Sequence, residues 1–587
     1  MKQTECYIKG YPRPQFVRRE WLSLDGKWDF AFDKDNKGEV HGYFKGFKKQ
    51  YDILVPFSYE TEASGIAKKE QCEFVWYQKK LNLSKEQLKK RILINFDGVD
   101  YMAKVWVNGI FIGSHRGGYA RFTLDITNSV KEGENLIVVK AEDYYDITQP
   151  RGKQRWMPYN YGCWYVQTTG IWKSVWLEFC DKAAHIQSAK ITPCVDMYSF
   201  EIEFETAIYM RGNYEIVVQT RFEGKDINSA SITIDSDTVR IKIYIESSKI
   251  DNQVAFWHPN GPCIYDFVFT LKKDGEQIDV VKSYCGLRDF RAEGNTLKLN
   301  GYPFYSRMVL YQGYWEKSDL TPPDEESIIK DIQLIKDIGF NAIRIHNTVE
   351  TDLFLYYADI MGLLVWCEMP SPHTFNEKGK ERFVAEWQEI VKQAYNHSSV
   401  AVWVIYNESW GIREVAYNKA QQTFTEGMYY ITKSYDLMRP VISNDGWEHT
   451  RSDIISLHNY EQDTEEFKKM YSDFGKLQDN NPKLPQRSPF ARGYSYAGQP
   501  VLMTEYGGCA FCKDAKDGWG YGNGVNSKEE FYNRYDGWLN AIYSFEYCAG
   551  YCYTQFTDVQ QEVNGLFTID RKCKVDIEKI RALNERK

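Results

Sequence analysis

The chain has no long apolar run. No stretch approaches the roughly 18 consecutive apolar residues of a membrane-spanning helix, so no membrane partner is expected. It also lacks a basic excess. The 73 Lys and Arg stand against 81 Asp and Glu, and the net charge of −8 argues against general nucleic-acid binding. The opening "MKQTECYIKGYPRPQF" has no apolar core of a secretory signal. The 13 cysteines are odd in number and thinly spread, which fits reduced thiols better than a disulfide framework. A cytoplasmic protein is therefore expected. The one CxxC, Cys509 to Cys512, has no second pair at zinc spacing, so no metal is expected there. Repeats, low-complexity segments and long linkers are missing too.

What is present is bulk and aromaticity. At 587 residues the chain is too long for one core and predicts three to four domains. A charged fraction of 26% and a hydrophobic fraction of 43% are those of a soluble globular protein. The 17 Trp and 43 Tyr can stack on the flat C–H faces of sugars or simply fill large cores. Composition alone does not separate these uses.

Three parts differ in their periodicity. Residues 1–179 hold short runs rich in β-branched and aromatic residues, such as "RILINFDGVDYMAKVWVNGIFIG", broken by Asp97-Gly98 and Asn108-Gly109 turns. They predict a β-sandwich. Residues 180–288 alternate more strictly, with Phe200, Ile202 and Phe204, then Tyr214, Ile216 and Val218, then Val239, Ile241, Ile243 and Ile245. About a hundred residues of this pattern predict an immunoglobulin-like β-sandwich.

From 289 to 587 short apolar runs alternate with helical patterns. In "TPPDEESIIKDIQLIKDIG", Asp324 caps a helix, Ile328, Ile332 and Ile335 form its apolar stripe, and Gly339 ends it. Eight strand candidates follow one another: "FYSRMVLY", "NAIRIH", "LLVWCE", "VAVWVIY", "PVISND", "IISLHN", "VLMTE" and "GYCYTQF". Strands covered on both faces read as continuous apolar runs, and eight such units predict a (β/α)8 TIM barrel.

The strand ends carry the chemistry. Functional groups of such barrels sit at the C-terminal ends of the strands. The fourth run ends in Asn407-Glu408 and the seventh in Glu505. Two carboxylates across one mouth suit glycoside hydrolysis, one as acid and one as nucleophile; a retaining mechanism needs them about 5–5.5 Å apart. Arg344 and His346 end the second run, Glu368 the third, Asn444 and Asp445 the fifth, His458, Asn459 and Tyr460 the sixth, Tyr553 and Gln555 the eighth. Polar groups at nearly every strand end are what a pocket for a many-hydroxyl ligand requires.

These motifs, taken in order, resemble glycoside hydrolase family 2, which includes β-galactosidases and β-glucuronidases. "YPRPQFVRREWLSLDGKWDFAFD", "VPFSYE", "VWVNGIFIGSHRGGYARFTLDIT" and "TTGIWKSVWLE" look like its sugar-binding sandwich, "WHPNGPCIYDFVFTL" and "GLRDF" like the end of its immunoglobulin-like domain, "NESWG" and "TEYGG" like its catalytic strand ends. The resemblance implies Glu408 as general acid/base and Glu505 as nucleophile of a retaining exo-β-glycosidase. It implies Asn407 on the sugar 2-hydroxyl, Arg344 beneath the nucleophile, Tyr460 hydrogen-bonded to it, and His346 and His458 lining the pocket. It calls for no cofactor. The expected partner is an oligosaccharide or glycoside substrate, with a homo-oligomer left open.

Other readings stand beside these. Arg344 would equally pair with a barrel glutamate, and His346 and His458 would serve as core histidines. Glu368 would be a structural acid or a hydroxyl ligand, and Asp445 in "SNDGW" reads as a turn. Trp519 and Trp538 are sugar platforms or packing; Trp519 is carried as a candidate, as is Gln555. As a general acid Glu408 must hold a proton near neutral pH, so its surroundings are expected to be apolar or negative, with Trp410 supplying desolvation. The family's glucuronidases carry a late Asn-x-Lys whose lysine meets the sugar carboxylate. The comparable "QFTDVQQEVNGLFTIDR" has no lysine. A β-galactosidase-like activity is therefore expected, with a family-2 arabinosidase or β-glucuronidase as the alternative. A non-catalytic carbohydrate-binding protein of the same fold, or a metal-dependent hydrolase using His346, His373 and His458, are the readings from other classes.

Overall fold

The computed structural model describes residues 3–245, 254–478, 487–511 and 518–586. Cys512 lies outside the described residues. The twelve described cysteines are free.

The first sandwich faces a six-stranded antiparallel sheet against a four-stranded one. Val75, Tyr77, Val105, Val139, Ile94, Phe96 and Leu177 are buried between them. Alternation along each strand sends these residues inward and their neighbours outward. The last strand is Val175–Cys180, so the expected boundary at 179 falls inside it. The second sandwich starts at Ala184 and packs a three-stranded sheet on a four-stranded one. Phe200, Ile202, Phe204, Ile216 and Val218 are fully buried in its core.

The barrel strands are β1 (Ser306–Tyr311), β2 (Ala342–Ile345), β3 (Leu364–Glu368), β4 (Val400–Val404), β5 (Val441–Ile442), β6 (Ile455–Asn459), β7 (Val501–Gly507) and β8 (Cys548–Thr554). All pairings among them are parallel, in the order β5-β4-β3-β2-β1-β8-β7-β6, so the ladder opens between β5 and β6. The helix Glu325–Asp337 forms as its punctuation predicts. The Asp324 side chain accepts from the Ser327 amide, and Ile328, Ile332 and Ile335 are buried.

Two segments depart from the expected domain limits. Residues 290–303 are not barrel but a small three-stranded sheet ahead of it. Phe290, Leu297 and Leu299 cluster with Met308, Leu310, Trp366, Val402 and Val404, the apolar layer below the polar strand ends. Residues 3–20, expected within the first sandwich, instead run across all three domains. Tyr7 stacks on Tyr356 of the barrel at 5.5 Å. Val17 pairs with Lys282 of the second sandwich. Arg18 bridges Glu178 of the first sandwich at 2.6 Å and Asp279 of the second at 3.0 Å.

Candidate active site

Strand β2 carries Arg344 into the barrel, where it is fully buried. Four groups surround its guanidinium. Nη1 donates to Glu505 Oε1 at 2.6 Å, and Nη2 to Glu368 Oε2 at 2.5 Å and to Asn407 Oδ1 at 2.6 Å. Nε lies 2.6 Å from Asp445 Oδ2. A buried cation needs this density of partners, because desolvating it is costly. Arg344 thus pairs with Glu368 and Asp445 and also lies against Glu505.

Glu505 on β7 has two further neighbours. The Tyr460 hydroxyl is 2.6 Å from its Oε2, and His458 Nδ1 lies 3.7 Å from its Oε1. Burial alone would raise the Glu505 carboxyl, but the charges of His458 and Arg344 hold it well below the usual carboxylate range. These charges favour its carboxylate form.

Glu408 follows β4 in an uncommon backbone conformation. Glu408 and Ser409 both have positive φ, 50° and 58°. Non-glycine residues pay on the order of 1–3 kcal/mol each for such positions. Three contacts hold them there: the Glu408 amide donates to the Asp445 carbonyl at 2.9 Å, the Ser409 amide to Asn444 Oδ1 at 2.9 Å, and Ser409 Oγ to Glu448 Oε2 at 2.6 Å. The strand end is thus turned so that the Glu408 side chain meets His458 and Tyr460. Its Oε1 lies 2.9 Å from each. Trp410 packs beside it against Trp164, 5.5 Å between centroids, and His346, 6.2 Å.

One oxygen of Glu408, one of Glu505 and one His458 nitrogen lie within 4.8 Å of one another. That distance also suits a metal ion. Burial pulls the His458 imidazole down, but the charges of Glu505 and Asp445 push it up to about 10. His346 goes the opposite way: burial and the charge of Lys153 keep it neutral. Burial raises Glu368 to about 7 against the pull of Arg344.

The first sandwich supplies a wall. The amides of Arg151 and Gly152 donate to the Ser371 carbonyl, and His373 Nε2 meets the Gly152 carbonyl at 3.0 Å. Gly152 has φ +58°, and a Cβ there would lie 2.0 Å from the Asn347 carbonyl oxygen, so only glycine permits this approach. Beyond it, Gln561 Nε2 and Trp519 Nε1 both donate to the Gly162 carbonyl. Tyr521 stacks on Tyr460 at 3.7 Å. The loop of the first sandwich that holds Arg151, Gly152 and Gly162 thus sits over the ends of β2, β3 and β8.

The sequence candidates sort as follows. Glu408, Glu505, Arg344, Asn407, Tyr460, His458, His346 and Glu368 converge in one cluster. Trp519 stands at the rim, edge-on to Tyr521 at 5.3 Å. Gln555 does not reach the carboxylates; its amide is held by Asn564 and Gln312, so it positions Asn564. Trp538 is buried, with Nε1 bonded to the Glu461 carbonyl, and is packing. Asp445 is no surface turn but a fully buried partner of Arg344, and Thr504 Oγ1 donates to it at 2.8 Å. His373 ties domains together and, among the described residues, belongs to no cluster of metal-ligand side chains. The interdomain residues Lys153 and Glu562 were missed; no periodicity marks a residue that works in a neighbouring domain. A cavity of about 670 Å³ lined by Arg13, Arg121, Asp352 and Asn396 lies elsewhere and shares none of these residues.

A parallel eight-stranded barrel whose C-terminal strand ends bring two carboxylates together over a buried arginine, with two sandwiches ahead of it, defines the glycoside hydrolase class. The chain belongs to glycosyl hydrolases family 2. Its sugar binding domain model matches residues 21–178, the family 2 central model 184–288, and the TIM barrel domain model 315–586. The chain is 30% identical over 348 residues to a putative beta-glucuronidase of Formosa agariphila, covering 57% of this chain and 40% of that protein. It is 26% identical to a beta-galactosidase of Thermoanaerobacter pseudethanolicus, covering 86% and 68%. A beta-glucuronidase structure from Ruminococcus gnavus superposes with a TM-score of 0.80 at 18% identity, covering 98% of this chain and 99% of that one. That likeness concerns the fold.

Proposed function

We propose that this chain is a retaining exo-β-glycosidase that releases a terminal β-linked sugar through a covalent glycosyl-enzyme. The observation that carries this reading is that one oxygen of Glu408 and one of Glu505 lie within 4.8 Å of each other, with the Tyr460 hydroxyl in hydrogen-bond reach of both carboxyls. Inverting enzymes need about 6.5–9.5 Å to admit a water between the two carboxyls, retaining ones about 5–5.5 Å.

The hydrogen bonds support a division of labour. Tyr460 has one proton, and its shorter contact is to Glu505 Oε2. His458 serves Glu408 Oε1. Glu408 Oε2 accepts no hydrogen bond among the described residues and is the oxygen that would pass a proton to the leaving group, although the charged His458 on its Oε1 replaces the apolar or negative surroundings expected from the sequence. Glu505 then attacks the anomeric carbon. Once it is esterified its charge is gone, and Glu408 takes a proton from the water that releases the sugar. Asn407 Oδ1 accepts from Arg344 Nη2, so its Nδ2 remains to donate to the 2-hydroxyl. The loop from the first sandwich closes one side of the mouth, which suits attack at a chain end.

For the sugar, we favour a neutral, β-galactoside-like glycon, because the stretch 555–571 has no lysine to meet a uronate. Relatives are named both beta-galactosidase and beta-glucuronidase, so β-glucuronide is the second reading. A cytoplasmic location belongs to the same proposal and is open to cell fractionation. A panel of nitrophenyl α- and β-glycosides tests the function. Turnover restricted to β-glycosides, lost in Glu505→Ala and restored by azide, is expected. No turnover of any glycoside would favour a carbohydrate-binding protein instead.

A further inference from the structure

The site holds one buried ion pair for which the mechanism above has no use. Lys153, on the loop of the first sandwich, is 6% exposed, and Glu562, beyond β8, is 1% exposed. Lys153 Nζ lies 3.4 Å from Glu562 Oε2, across 409 residues of sequence. Burying two charges from different domains is costly, and a long contact of this kind offsets it poorly. A structural role alone explains it less well than a ligand that completes it.

The pair's surroundings point toward the sugar site. Gly152 is pressed against Asn347, the residue after His346, which fixes where Lys153 begins. On the other side Asn564 Nδ2 donates to Glu562 Oε1 at 3.2 Å and stands against Gly508, three residues after Glu505. The chain Gln312, Gln555, Asn564, Glu562 is hydrogen-bonded end to end, so Glu562 is held in place. Tyr165 also donates to it. The charge of Lys153 reaches both Glu505 and His346.

An ammonium has three donors, and among the described residues Glu562 is the one hydrogen-bond acceptor of Lys153. Two N–H groups therefore have no acceptor among the described residues. Glu562 keeps acceptor capacity at Oε1, where its one bond is long. Donor and acceptor side by side match two neighbouring hydroxyls, one accepting and one donating. They do not match a carboxylate, which would have to sit against the Glu562 anion.

We propose that Lys153 and Glu562 together bind a hydroxyl pair of a neutral glycon and reject glycons that carry a carboxylate. This rests on the glycosidase reading and determines its substrate class.

The test uses full-length protein and aryl β-glycosides of galactose, glucose, arabinopyranose, glucuronate and galacturonate, with singly deoxygenated versions of the sugar that is cleaved best. Wild type should prefer a neutral sugar by at least about 100-fold in kcat/KM, since a site built to bind a hydroxyl discriminates strongly. Removing one particular hydroxyl should cost wild type most of that activity. Glu562→Gln should lower neutral-sugar kcat/KM and shrink the neutral-to-uronide ratio at least about tenfold. Because a lone buried lysine can impair folding, the double variant Lys153→Met, Glu562→Gln removes both charges; in it the same deoxygenation should cost almost nothing, with an unchanged thermal midpoint. A wild type that cleaves a uronide as well as any neutral sugar overturns the proposal and leaves the glycosidase reading standing, as does a deoxygenation penalty that survives in the double variant. No turnover of any glycoside overturns both.

Discussion

Replacing Tyr460 with phenylalanine deletes one oxygen from the centre of the site and little else. The ring of Tyr460 lies flat on Tyr521, 3.7 Å between centroids with 3° between planes, and phenylalanine keeps that stack. What is lost is the hydroxyl 2.6 Å from Glu505 Oε2 and 2.9 Å from Glu408 Oε1. A hydrogen bond to a charged group contributes about 1.5–3 kcal/mol. At about 1.4 kcal/mol per factor of ten, kcat/KM should fall about 10- to 150-fold. The same bond helps hold the Glu505 carboxyl low, so its loss should raise that carboxyl and move the acid limb of the kcat/KM profile to higher pH. The assay is hydrolysis of a nitrophenyl β-glycoside from pH 3 to 9, with thermal unfolding as the control. A Tyr460→Phe enzyme with wild-type kcat/KM and an unmoved acid limb would refute the claim that this hydroxyl serves the nucleophile.

Other perturbations have equally definite outcomes. Glu408→Ala should slow cleavage of poor leaving groups about 10²–10⁴-fold while a dinitrophenyl glycoside, which needs no proton, suffers far less; equal losses would remove Glu408 as the acid. His458 is raised to about 10 from an ordinary value near 6.5, so the stability it contributes is complete below about 6.5 and is lost as the pH climbs toward 10. Urea midpoints across that window should therefore fall more steeply for wild type than for His458→Asn, and parallel curves would contradict the charged imidazolium. Gly152→Ala places a Cβ 2.0 Å from the Asn347 carbonyl and should lower the thermal midpoint and kcat/KM together. Wild-type values for both would show that the loop does not need this approach.

Much of the barrel was legible because its strands are covered on both faces. Continuous runs such as Val400 to Ile405 have no amphipathic alternative, so each run and the polar residue ending it could be placed without coordinates. That logic found Arg344, Glu408 and Glu505. It left Asp445 open between a strand-end group and a turn, because Asn-Asp-Gly carries the composition of a surface turn while the Arg344 charge beside it, 101 positions away, is invisible locally. It put residues 4–18 in the first sandwich, although their contacts lie mostly on other domains. It overlooked Lys153 and Glu562, whose meeting depends on how two domains dock. Pattern within one element was readable; partnership between elements far apart in the chain was not.

The central claim, that Glu505 becomes covalently glycosylated, is tested most directly by trapping. The enzyme is incubated with a 2-deoxy-2-fluoro aryl β-glycoside of its best substrate, digested, and the labelled peptide sequenced by mass spectrometry. The account predicts one sugar per chain, attached to Glu505, with activity lost in step with labelling. A label on Glu408, or full inactivation with Glu505 unmodified, would contradict it.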